Sequence, residues 1–426
     1  MNVTERAAAF DLLLPHIAYC CGAKHPATNL HRLLVFPCML LQHSINPAAQ
    51  HAACPPACII KSFHHSFKLP ASQNQTCNAA QTWHVDLPVL QGQHGQNLVF
   101  GNASYNGRPG ADSWTSNTCM HPEVSHKFFG TEAANTAAAK PGMDFPSISI
   151  AASPDSWSFQ HFHDRVTHII LQGQHLSGTD TTYITGREPV SSIVSALWQK
   201  LVPDAKKRVL HTSAQSWPIR AKELIFSCRA PLIHPWFAQM LAEEVGVTKW
   251  QKPLSERKVV LYCSRARDKG GRMQNGGRQF TNDDAVIAAL ETLLTIRGQD
   301  ERLEVYDISH WERDFDGMVR YFASNIRAII GPHGGALVNL NWAARDTAVI
   351  EVMPSDFFSL ALYEHASTLG QTYGFMQSPS VNPRIDMTVD IPELMGLVDS
   401  IIGKEREEGV LHAVYDWNTD MRKALY

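Results

Sequence analysis

Ile329-Ile330-Gly331-Pro332-His333-Gly334-Gly335-Ala336-Leu337-Val338-Asn339 is the stretch that decides the fold class of this chain. It begins as an apolar strand, passes through a glycine-rich turn and continues as an apolar helix. The glycines let the backbone turn tightly and approach a ligand. The free N–H groups at the helix start favour an anion, so the stretch predicts a phosphate or diphosphate site. A tight strand–helix turn without a ligand is the alternative.

This stretch differs from two common phosphate-binding motifs. It lacks the G-x-G-x-x-G spacing of dinucleotide-binding folds and the Gly-Lys-Ser/Thr end of a P-loop. A dinucleotide oxidoreductase or an NTPase is therefore disfavoured.

Strands and helices alternate on both sides of the glycine-rich stretch. Lys258–Ser264 is a near-continuous apolar run, as expected of a strand buried on both faces. A helix is predicted to open at Thr281, with Asp284 three residues later as in a capping box, and Ala348–Val352 predicts a further strand. Such alternation predicts an α/β fold with a parallel sheet. A similar alternation over residues 145–250 predicts a second Rossmann-like half, with a cleft between the two.

Composition divides the 426 residues unevenly. Residues 1–119 hold 7 of the 9 cysteines and only 10 of the 77 charged residues, and 15 of the 21 histidines lie in residues 1–175. The net charge of −3 argues against a general electrostatic grip on nucleic acid. We predict a weakly structured, low-charge extension over 1–140, with a strand near Asn97–Phe100. Two Rossmann-like halves over 141–252 and 253–380 and a helical segment over 381–426 follow.

Targeting signals in the sequence are weak. It contains no run of 18 apolar residues, so no ordinary transmembrane helix is predicted. The longest apolar block, Leu33–Leu41, is typical of a short signal segment or of a buried loop. Asn2, Asn74 and Asn102 begin N-glycosylation sequons, which matter only if the chain meets the secretory lumen. The crowded cysteines suit an oxidising compartment.

Charged residues follow the predicted strands at their carboxyl ends. Glu351 ends the strand after the glycine-rich stretch, on the side where ligands bind in open α/β sheets. Its carboxylate could accept from both hydroxyls of a ribose, or it could be a solvated strand-end charge. Four arginines follow the strand Lys258–Ser264: Arg265, Arg267, Arg272 and Arg278. Guanidinium groups match phosphate oxygens bidentately, so these arginines favour a diphosphate site; ordinary solvated loop arginines are the alternative.

His161 and Asp164 are the candidate acid–base pair of the first half. They lie three residues apart, so the carboxylate could orient the imidazole as a general base for a hydroxyl nucleophile. A helix cap by Asp164 beside a surface histidine is the alternative.

Metal-binding patterns are weak. One cluster superficially resembles a zinc site: His51, Cys54, Cys58, His64 and His65. It lacks the flanking aromatic and leucine core of a zinc finger. Asp314-Phe315-Asp316 is an Asp-x-Asp, which holds a divalent cation in some enzymes, but its place before a helix stripe predicts an acidic helix start. We therefore expect no metal site.

Taken in order, these motifs resemble glycosyltransferase family 61. That family includes plant xylosyl- and arabinosyltransferases and the EGF-domain-specific O-GlcNAc transferase. The resemblance covers roughly residues 156–402. Its most specific part is the family's G-x-H-G-A-G-L-x-N motif, which corresponds here to Gly331–Asn339. In the family this motif is followed by a strand that ends in Glu, and the corresponding residue here is Glu351. Three further family motifs appear as Ser264-Arg265 with Arg278, as Asn282-Asp283, and as His161-Phe162-His163-Asp164.

This chain departs from the family pattern in three places, one of which is a longer, glycine-rich loop between Arg265 and Arg278. Gly335-Ala336 inverts the usual Ala-Gly order, which keeps two small side chains in the turn, and Asp283 replaces a Glu.

The resemblance implies a GT-B arrangement of two facing Rossmann-like domains with parallel sheets. It implies inverting transfer of xylose, arabinose or GlcNAc from a UDP-sugar to a hydroxyl of a glycoprotein glycan, a protein or a polysaccharide, without an essential metal or other cofactor. The acceptor half is 141–252 and the nucleotide-sugar half is 253–380. The base is His161 or Asp164. Donor-binding residues implied by the family motifs are Arg265, Arg278, Asn282, His333, Gly334, Gly335, Asn339 and Glu351.

Within that donor site, the resemblance places Glu351 near the ribose and Arg265 and His333 near the diphosphate. It also implies residence in the lumen of the Golgi or endoplasmic reticulum, with membrane association through an anchor not evident in this chain, and no nucleic-acid partner. A catalytically inactive descendant that binds a glycan or a partner protein is the alternative.

Overall fold

The computed structural model describes several parts of the chain. From residue 143 onward it describes residues 143–151, 157–211, 219–228, 235–267, 277–357, 359 and 361–404. Upstream it describes four strands, β1 (Ala49–Ala52), β2 (His64–Lys68), β3 (Thr82–Asp86) and β4 (Gln96–Tyr105). Several features named above lie outside the described residues: Leu33–Leu41, Asn2, Asn74, Cys54, Cys58 and Arg272.

The first sheet is mixed and six-stranded. Its later strands are β5 (Met143–Ile150), β6 (Thr181–Thr185), β7 (Val209–His211) and β8 (Ile219–Cys228). The strand order in the sheet is β1-β4-β8-β5-β6-β7. Strands β5, β6, β7 and β8 run parallel to one another, whereas β4 is antiparallel to β8 and β1 is antiparallel to β4. The order β7-β6-β5-β8 is that of a Rossmann half, in which ligands bind where the strand order reverses, between β5 and β8.

Helices connect the strands of this sheet. They are α1 (Phe159–His161), α2 (Thr167–Gly173), α3 (Ser192–Leu201), α4 (Ala205–Arg208), α5 (Pro235–Glu244) and α6 (Val247–Trp250), with a π-helical turn over Phe162–Val166 between α1 and α2. In α3 the residues at helical spacing are buried, and the side chain of Ser191 caps its amino end.

The second sheet is entirely parallel and five-stranded. It contains β9 (Val259–Tyr262), β10 (Arg302–Val305), β11 (Ile326–Pro332), β12 (Ala348–Pro354) and β13 (Thr372–Ser378), in the order β10-β9-β11-β12-β13. The sheet order is that of a doubly wound fold, in which the strand order reverses between the first strand and the third. That switch point lies between β9 and β11.

Helices cover both faces of the second sheet. They are α7 (Asp283–Arg297), α8 (Phe315–Asn325), α9 (Ala361–Thr368) and α10 (Ile391–Ile401), with a 3-10 helix over Gly335–Trp342. All residues of β11 and β12 are buried, as expected of central strands covered on both faces. Alternate residues therefore enter two different cores.

One of these two cores is shared by the two halves. It joins apolar residues of α2 and α3 to residues of α8 and of the 3-10 helix. Trp342, fully buried at the end of the 3-10 helix, lies edge-on to His163 of the first half and Phe315 of the second, at ring distances of 4.5 and 5.2 Å. The two sheets are thus linked by continuous apolar packing.

The predicted α/β class is confirmed, with differences of detail. Parallel pairing was predicted in both halves, but the first sheet is mixed because β1 and β4 add antiparallel strands. The strand predicted near Asn97–Phe100 is present as part of β4, so part of the supposed extension belongs to the first sheet.

Two predicted helices start or wind differently. Thr281 does not open α7; its hydroxyl lies 2.6 Å from that of Thr388, and the helix begins two residues later. The helix predicted over Ala336–Ala343 is a 3-10 helix. Within it, Asn339 and Asn341 donate from their side chains to carbonyl oxygens three residues earlier, which favours the tighter winding.

In the part of the chain that the structure describes, every helix is too short or too polar to span a bilayer.

The amino-terminal edge of the second sheet is fixed by a buried carboxylate. The side chain of Glu301 is fully buried, and its oxygens lie 2.7 Å from Nε of Arg297 and 2.7 Å from Nε of Arg327. Removing one partner of a buried ion pair costs about 3–5 kcal/mol, because the remaining charge is left uncompensated. We expect Glu301→Ala to lower the free energy of unfolding by about that amount, measured by urea unfolding.

Asp399→Ala is the matched control. It removes another carboxylate from Arg297, but the Asp399 side chain is 57% exposed, and exposed pairs contribute little. The unfolding midpoint of this variant should stay close to that of the wild type. An equal loss in both variants would contradict a special role for the buried carboxylate.

Candidate functional site

The candidate site lies at the carboxyl ends of β9 and β11, where the strand order of the second sheet reverses. Open α/β sheets bind ligands at this place, because neighbouring connections leave on opposite faces and open a crevice. β9 leads into Ser264 and Arg265, and β11 leads into His333 and the glycine-rich turn.

Gly331 lets these two strands approach closely. Cys263 N donates to Ile330 O at 2.8 Å, and a Cβ added to Gly331 would lie 2.7 Å from the carbonyl oxygen of Cys263. The colliding atom belongs to the backbone of the neighbouring strand and cannot turn away. This glycine therefore serves strand packing, whereas the sequence had suggested ligand approach.

Arg265 lies directly against the glycine-rich turn. Its Nε donates to the carbonyl oxygen of Gly277 at 2.7 Å, and a Cβ on Gly334 would collide with its Nη1. Gly277 has a φ of +98°, and a Cβ there would meet the carbonyl of Arg384, so only glycine fits. The predicted juxtaposition of Arg265 and the Gly334 turn is therefore present.

Asp283 holds the end of β9 in place. Its carboxylate accepts from Tyr262 Oη at 2.6 Å and from Ser264 Oγ at 2.9 Å, and it lies 3.3 Å from Nε of Arg267. Burial, followed by the hydrogen bond to Asp283, raises the pKa of Tyr262 far above its ordinary value, so the phenol remains a donor. Asp283 thus fixes the segment that carries Arg265.

His333, Glu351 and Tyr373 form a buried hydrogen-bonded chain. His333 Nδ1 is hydrogen-bonded to Glu351 Oε1, and Tyr373 Oη donates to Glu351 Oε2. Glu351 is fully buried at 0% exposure, and His333 is 4% exposed. The His333 ring also packs against Phe357, with 4.8 Å between ring centroids.

The structure corrects the predicted position of Glu351. It lies in the middle of β12, not at its end, and it is buried, so it is not a solvated strand-end charge. Both carboxylate oxygens are bonded within the protein. Tyr373 was not among the residues singled out from the sequence. Its strand also contains Thr372, Gln377 and Ser378, so the hydroxyl of Tyr373 does not stand out, and nothing in the sequence predicts its contact with Glu351.

Three further predicted donor-site residues have structural contacts. The side-chain amide of Asn282 bonds both ways with the backbone of Val389, at 2.9 and 3.0 Å. Fully buried Asn339 donates to Ala336 O at 2.8 Å within its own helix. Arg278 adopts a positive φ of 60°, and its backbone N–H donates to Arg384 O. The structure therefore gives the Asn282 and Asn339 amides internal partners and brings Arg278 close to Arg265 through Gly277.

The start of α1 brings the first half toward this site. A Cβ on Gly335 would lie 3.7 Å from both Cβ and Oε1 of Gln160, so the Gln160 side chain packs against the turn. One residue later, His161 Nδ1 lies 3.5 Å from Asp164 Oδ2, and Nε of Arg165 lies 3.5 Å from the other oxygen of Asp164. The predicted pair His161 and Asp164 is thus brought together, at 13% and 16% side-chain exposure.

His163 lies between α1 and α2 but is unsuited to acid–base chemistry near neutral pH. It is fully buried, and its two ring nitrogens have no hydrogen-bond partner among the described residues. Burial, together with the neighbouring His365 and His168, lowers the pKa of His163 to about 3. This histidine therefore stays neutral and apolar in its contacts.

The acidic pair Asp314 and Asp316 begins a helix, as predicted. Asp314 accepts from the backbone N–H of Gly317 at 2.8 Å as the N-cap of α8, and Asp316 lies 2.8 Å from Nζ of Lys200. Among the described residues, no group of three or more His, Cys, Asp or Glu side chains is placed to share a metal ion.

Comparison with known proteins identifies one family. The model of the family described as Glycosyltransferase 61 matches residues 117–350. That span holds Arg265, Arg278 and the complete glycine-rich turn, and Glu351 follows it directly. A comparison with curated proteins found no match.

Similarity to solved structures is distant. Two mutant forms of a flavo di-iron protein from Thermotoga maritima are each 14% identical to this chain, with TM-scores of 0.24 and 0.23. Each comparison covers 56% of this chain, which spans about half (51%) of those structures. TM-scores this low support no statement about fold or function.

The two glycines Gly331 and Gly335 should differ in their tolerance of alanine. We expect Gly331→Ala to destabilise the protein by about 1–3 kcal/mol, because overpacked side chains force backbone shifts of that cost. Gly335→Ala adds the same methyl group in ordinary contact at 3.7 Å and should leave thermal stability unchanged. Calorimetric melting of both variants checks this. Equal stability of the two would contradict the close strand approach at Gly331.

Proposed function

Because this chain belongs to glycosyltransferase family 61, we propose that it transfers a sugar from a UDP-sugar to an acceptor hydroxyl, with inversion at the anomeric carbon and without an essential metal. The supporting observation is the placement of Arg265 against the Gly334 turn at the switch point of the second sheet. That arrangement combines a guanidinium group with backbone amides, both of which suit a diphosphate.

The donor would lie in the second half, over residues 253–380. Its diphosphate would sit between Arg265 and the amides at the start of the 3-10 helix, beside Gly334 and Gly335. Positive charge placed there stabilises the diphosphate as it leaves, which is usually the largest catalytic contribution in such reactions. The family resemblance makes xylose, arabinose and GlcNAc the candidate sugars.

The acceptor would lie against the first half, in a GT-B arrangement. The packing of Gln160 against Gly335 supports this, since it brings the start of α1 to the donor turn. In one in-line displacement, the acceptor oxygen bonds to the anomeric carbon while the bond to the diphosphate oxygen breaks. The hydroxyl proton passes to His161 or Asp164, and the two side chains orient one another.

A metal-independent reaction is supported by what the acidic side chains do. Asp314 caps a helix and Asp316 pairs with Lys200, and among the described residues no group of three or more His, Cys, Asp or Glu side chains is placed to share a cation with them. Charge neutralisation would come from Arg265, with help from His333. The acceptor would be a glycoprotein glycan, a protein or a polysaccharide, and the reaction would take place in the lumen of the Golgi or endoplasmic reticulum.

A transfer assay with the full chain and a panel of UDP-sugars tests this function. We expect release of UDP with one pentose or N-acetylhexosamine donor, undiminished by excess EDTA. UDP should also raise the melting temperature in EDTA, because a ligand that binds only the folded state stabilises it, by about 2.7 kcal/mol at a hundred times its Kd. Activity that disappears in EDTA and returns with Mn²⁺ would refute the metal-independent route.

Two substitutions around the diphosphate test the assigned site. Arg265→Ala should reduce kcat by about 10²–10³-fold, the loss seen when one charge-stabilising donor is removed. Gly334→Ala should weaken UDP binding without unfolding the protein, since its methyl group displaces only the mobile end of Arg265. Isothermal titration with UDP measures the second effect.

Gly335→Ala is the matched control for Gly334→Ala. It restores the residue usual in the family and leaves Arg265 untouched, so UDP affinity should remain close to that of the wild type. Unchanged UDP affinity in Gly334→Ala would place the diphosphate elsewhere.

A further inference from the structure

Glu351 is the most deeply buried carboxylate at the edge of the sheet that carries the candidate site. Glu351 is 0% exposed, and its two carboxylate oxygens are hydrogen-bonded to His333 and to Tyr373. A buried carboxylate is costly unless it is paired and hydrogen-bonded. The two contacts satisfy its hydrogen bonding, so the remaining question is which group supplies the opposite charge.

Tyr373 cannot supply that charge, because a phenol is either neutral or negative. Burial, followed by the neighbouring Glu351 carboxylate, raises the pKa of Tyr373 well above its ordinary value, so the phenol stays protonated and donates to Glu351. Among the described side chains bonded to Glu351, His333 is then the one that can be positive. An ionised carboxylate only accepts, so pairing with it requires a proton on Nδ1 of His333, and the ring is positive only when Nε2 carries a proton as well.

The His333 ring is held firmly in this orientation. The backbone N–H of His333 donates to Val352 O at 2.9 Å, and Phe357 packs against the ring. With Nδ1 directed at Glu351, Nε2 lies on the opposite side of the ring, and the bond formed by one nitrogen fixes the role of the other. The next residue is Gly334, which contacts Arg265.

We propose that Glu351 and Tyr373 are positioning residues, which hold His333 as an imidazolium whose Nε2–H donates to the departing diphosphate. This inference rests on the proposed function. As the bond between the anomeric carbon and the diphosphate oxygen breaks, its electron pair moves onto that oxygen. The Nε2–H group stabilises the new charge by a hydrogen bond and keeps its proton.

This role differs from direct ribose binding by Glu351. If Glu351 bound a ribose, its removal would weaken UDP binding in the ground state and raise KM. If it acts through His333, its removal should chiefly lower kcat, because the charge on the diphosphate develops only in the transition state. Glu351→Gln separates the two, since the amide keeps the shape and an acceptor oxygen but loses the charge.

The first measurement is nitrogen NMR of the full chain labelled at the histidine rings with ¹⁵N. His333→Gln identifies the His333 signal by its loss. We expect both ring nitrogens of His333 to be protonated in the wild type at pH 7, and Glu351→Gln to convert the ring to a neutral form. A neutral His333 in the wild type would overturn the proposal, whether or not any variant folds.

The second measurement is the kinetics of transfer. Glu351→Gln should lower kcat by about 10²-fold, as for loss of one charge-stabilising donor, with KM for the UDP-sugar within about threefold of the wild type. Tyr373→Phe keeps both charges and should cost less, with the His333 signal still that of an imidazolium. A raised KM with unchanged kcat in Glu351→Gln would overturn the proposal in favour of direct ribose binding.

Asp283→Asn is the matched control, because it neutralises the other buried carboxylate at the same edge of the sheet. It contacts Tyr262 and Ser264, so its removal should leave the nitrogen signals of His333 unchanged. Loss of the imidazolium signal in this variant as well would contradict a specific pairing with Glu351. If the wild type transfers no sugar, the proposed function fails, while the nitrogen signals still decide the charge of the His333–Glu351 pair.

Discussion

The close approach of β9 and β11 at Gly331 is the constraint on which the candidate site depends. A Cβ at that position would lie 2.7 Å from the carbonyl oxygen of Cys263, which is too close for any side chain. The two strands then end side by side and their connections separate, which sets Arg265 against Gly334. A side chain at Gly331 would move the strand that carries Arg265 and with it the group proposed to bind diphosphate.

Two buried carboxylates organise this edge of the sheet in the same way. Asp283 accepts hydrogen bonds from Tyr262 and Ser264, and so fixes the segment before Arg265. Glu351 is hydrogen-bonded to His333 through one oxygen and to Tyr373 through the other. Each carboxylate is bonded to the residue that precedes one member of the Arg265–Gly334 contact: Ser264 in the first case and His333 in the second. In low-dielectric surroundings, such fully bonded networks fix side chains in one arrangement.

Much of the fold follows from the sequence because local patterns determine it. The apolar run at Lys258–Ser264 and the glycine-rich stretch predicted two central parallel strands, and both are present as β9 and β11. The acidic start of α8 at Asp314 followed from its position before the apolar stripe of a helix, and Asp314 is the N-cap of α8 in the structure. Resemblance of ordered motifs identified family 61, which the match over residues 117–350 confirms.

What could not be predicted depends on contacts between distant segments. One carboxylate oxygen of Glu351 accepts a hydrogen bond from Tyr373, which lies on the neighbouring strand β13. The sequence does not show which strands are neighbours in a sheet, so it could not predict this contact. Asn282 lies in a family motif, yet its side-chain amide forms two hydrogen bonds with the backbone of Val389, more than a hundred residues later. The antiparallel strand β4 joins the first sheet from a region whose composition gave little periodic signal.

A crystal structure of the full chain with UDP, grown in the presence of EDTA, tests the central claim most directly. We predict diphosphate density between the guanidinium group of Arg265 and the backbone amides of Gly334 and Gly335, at the carboxyl ends of β9 and β11. Diphosphate bound at the carboxyl edge of the first sheet, or away from Arg265, would contradict it.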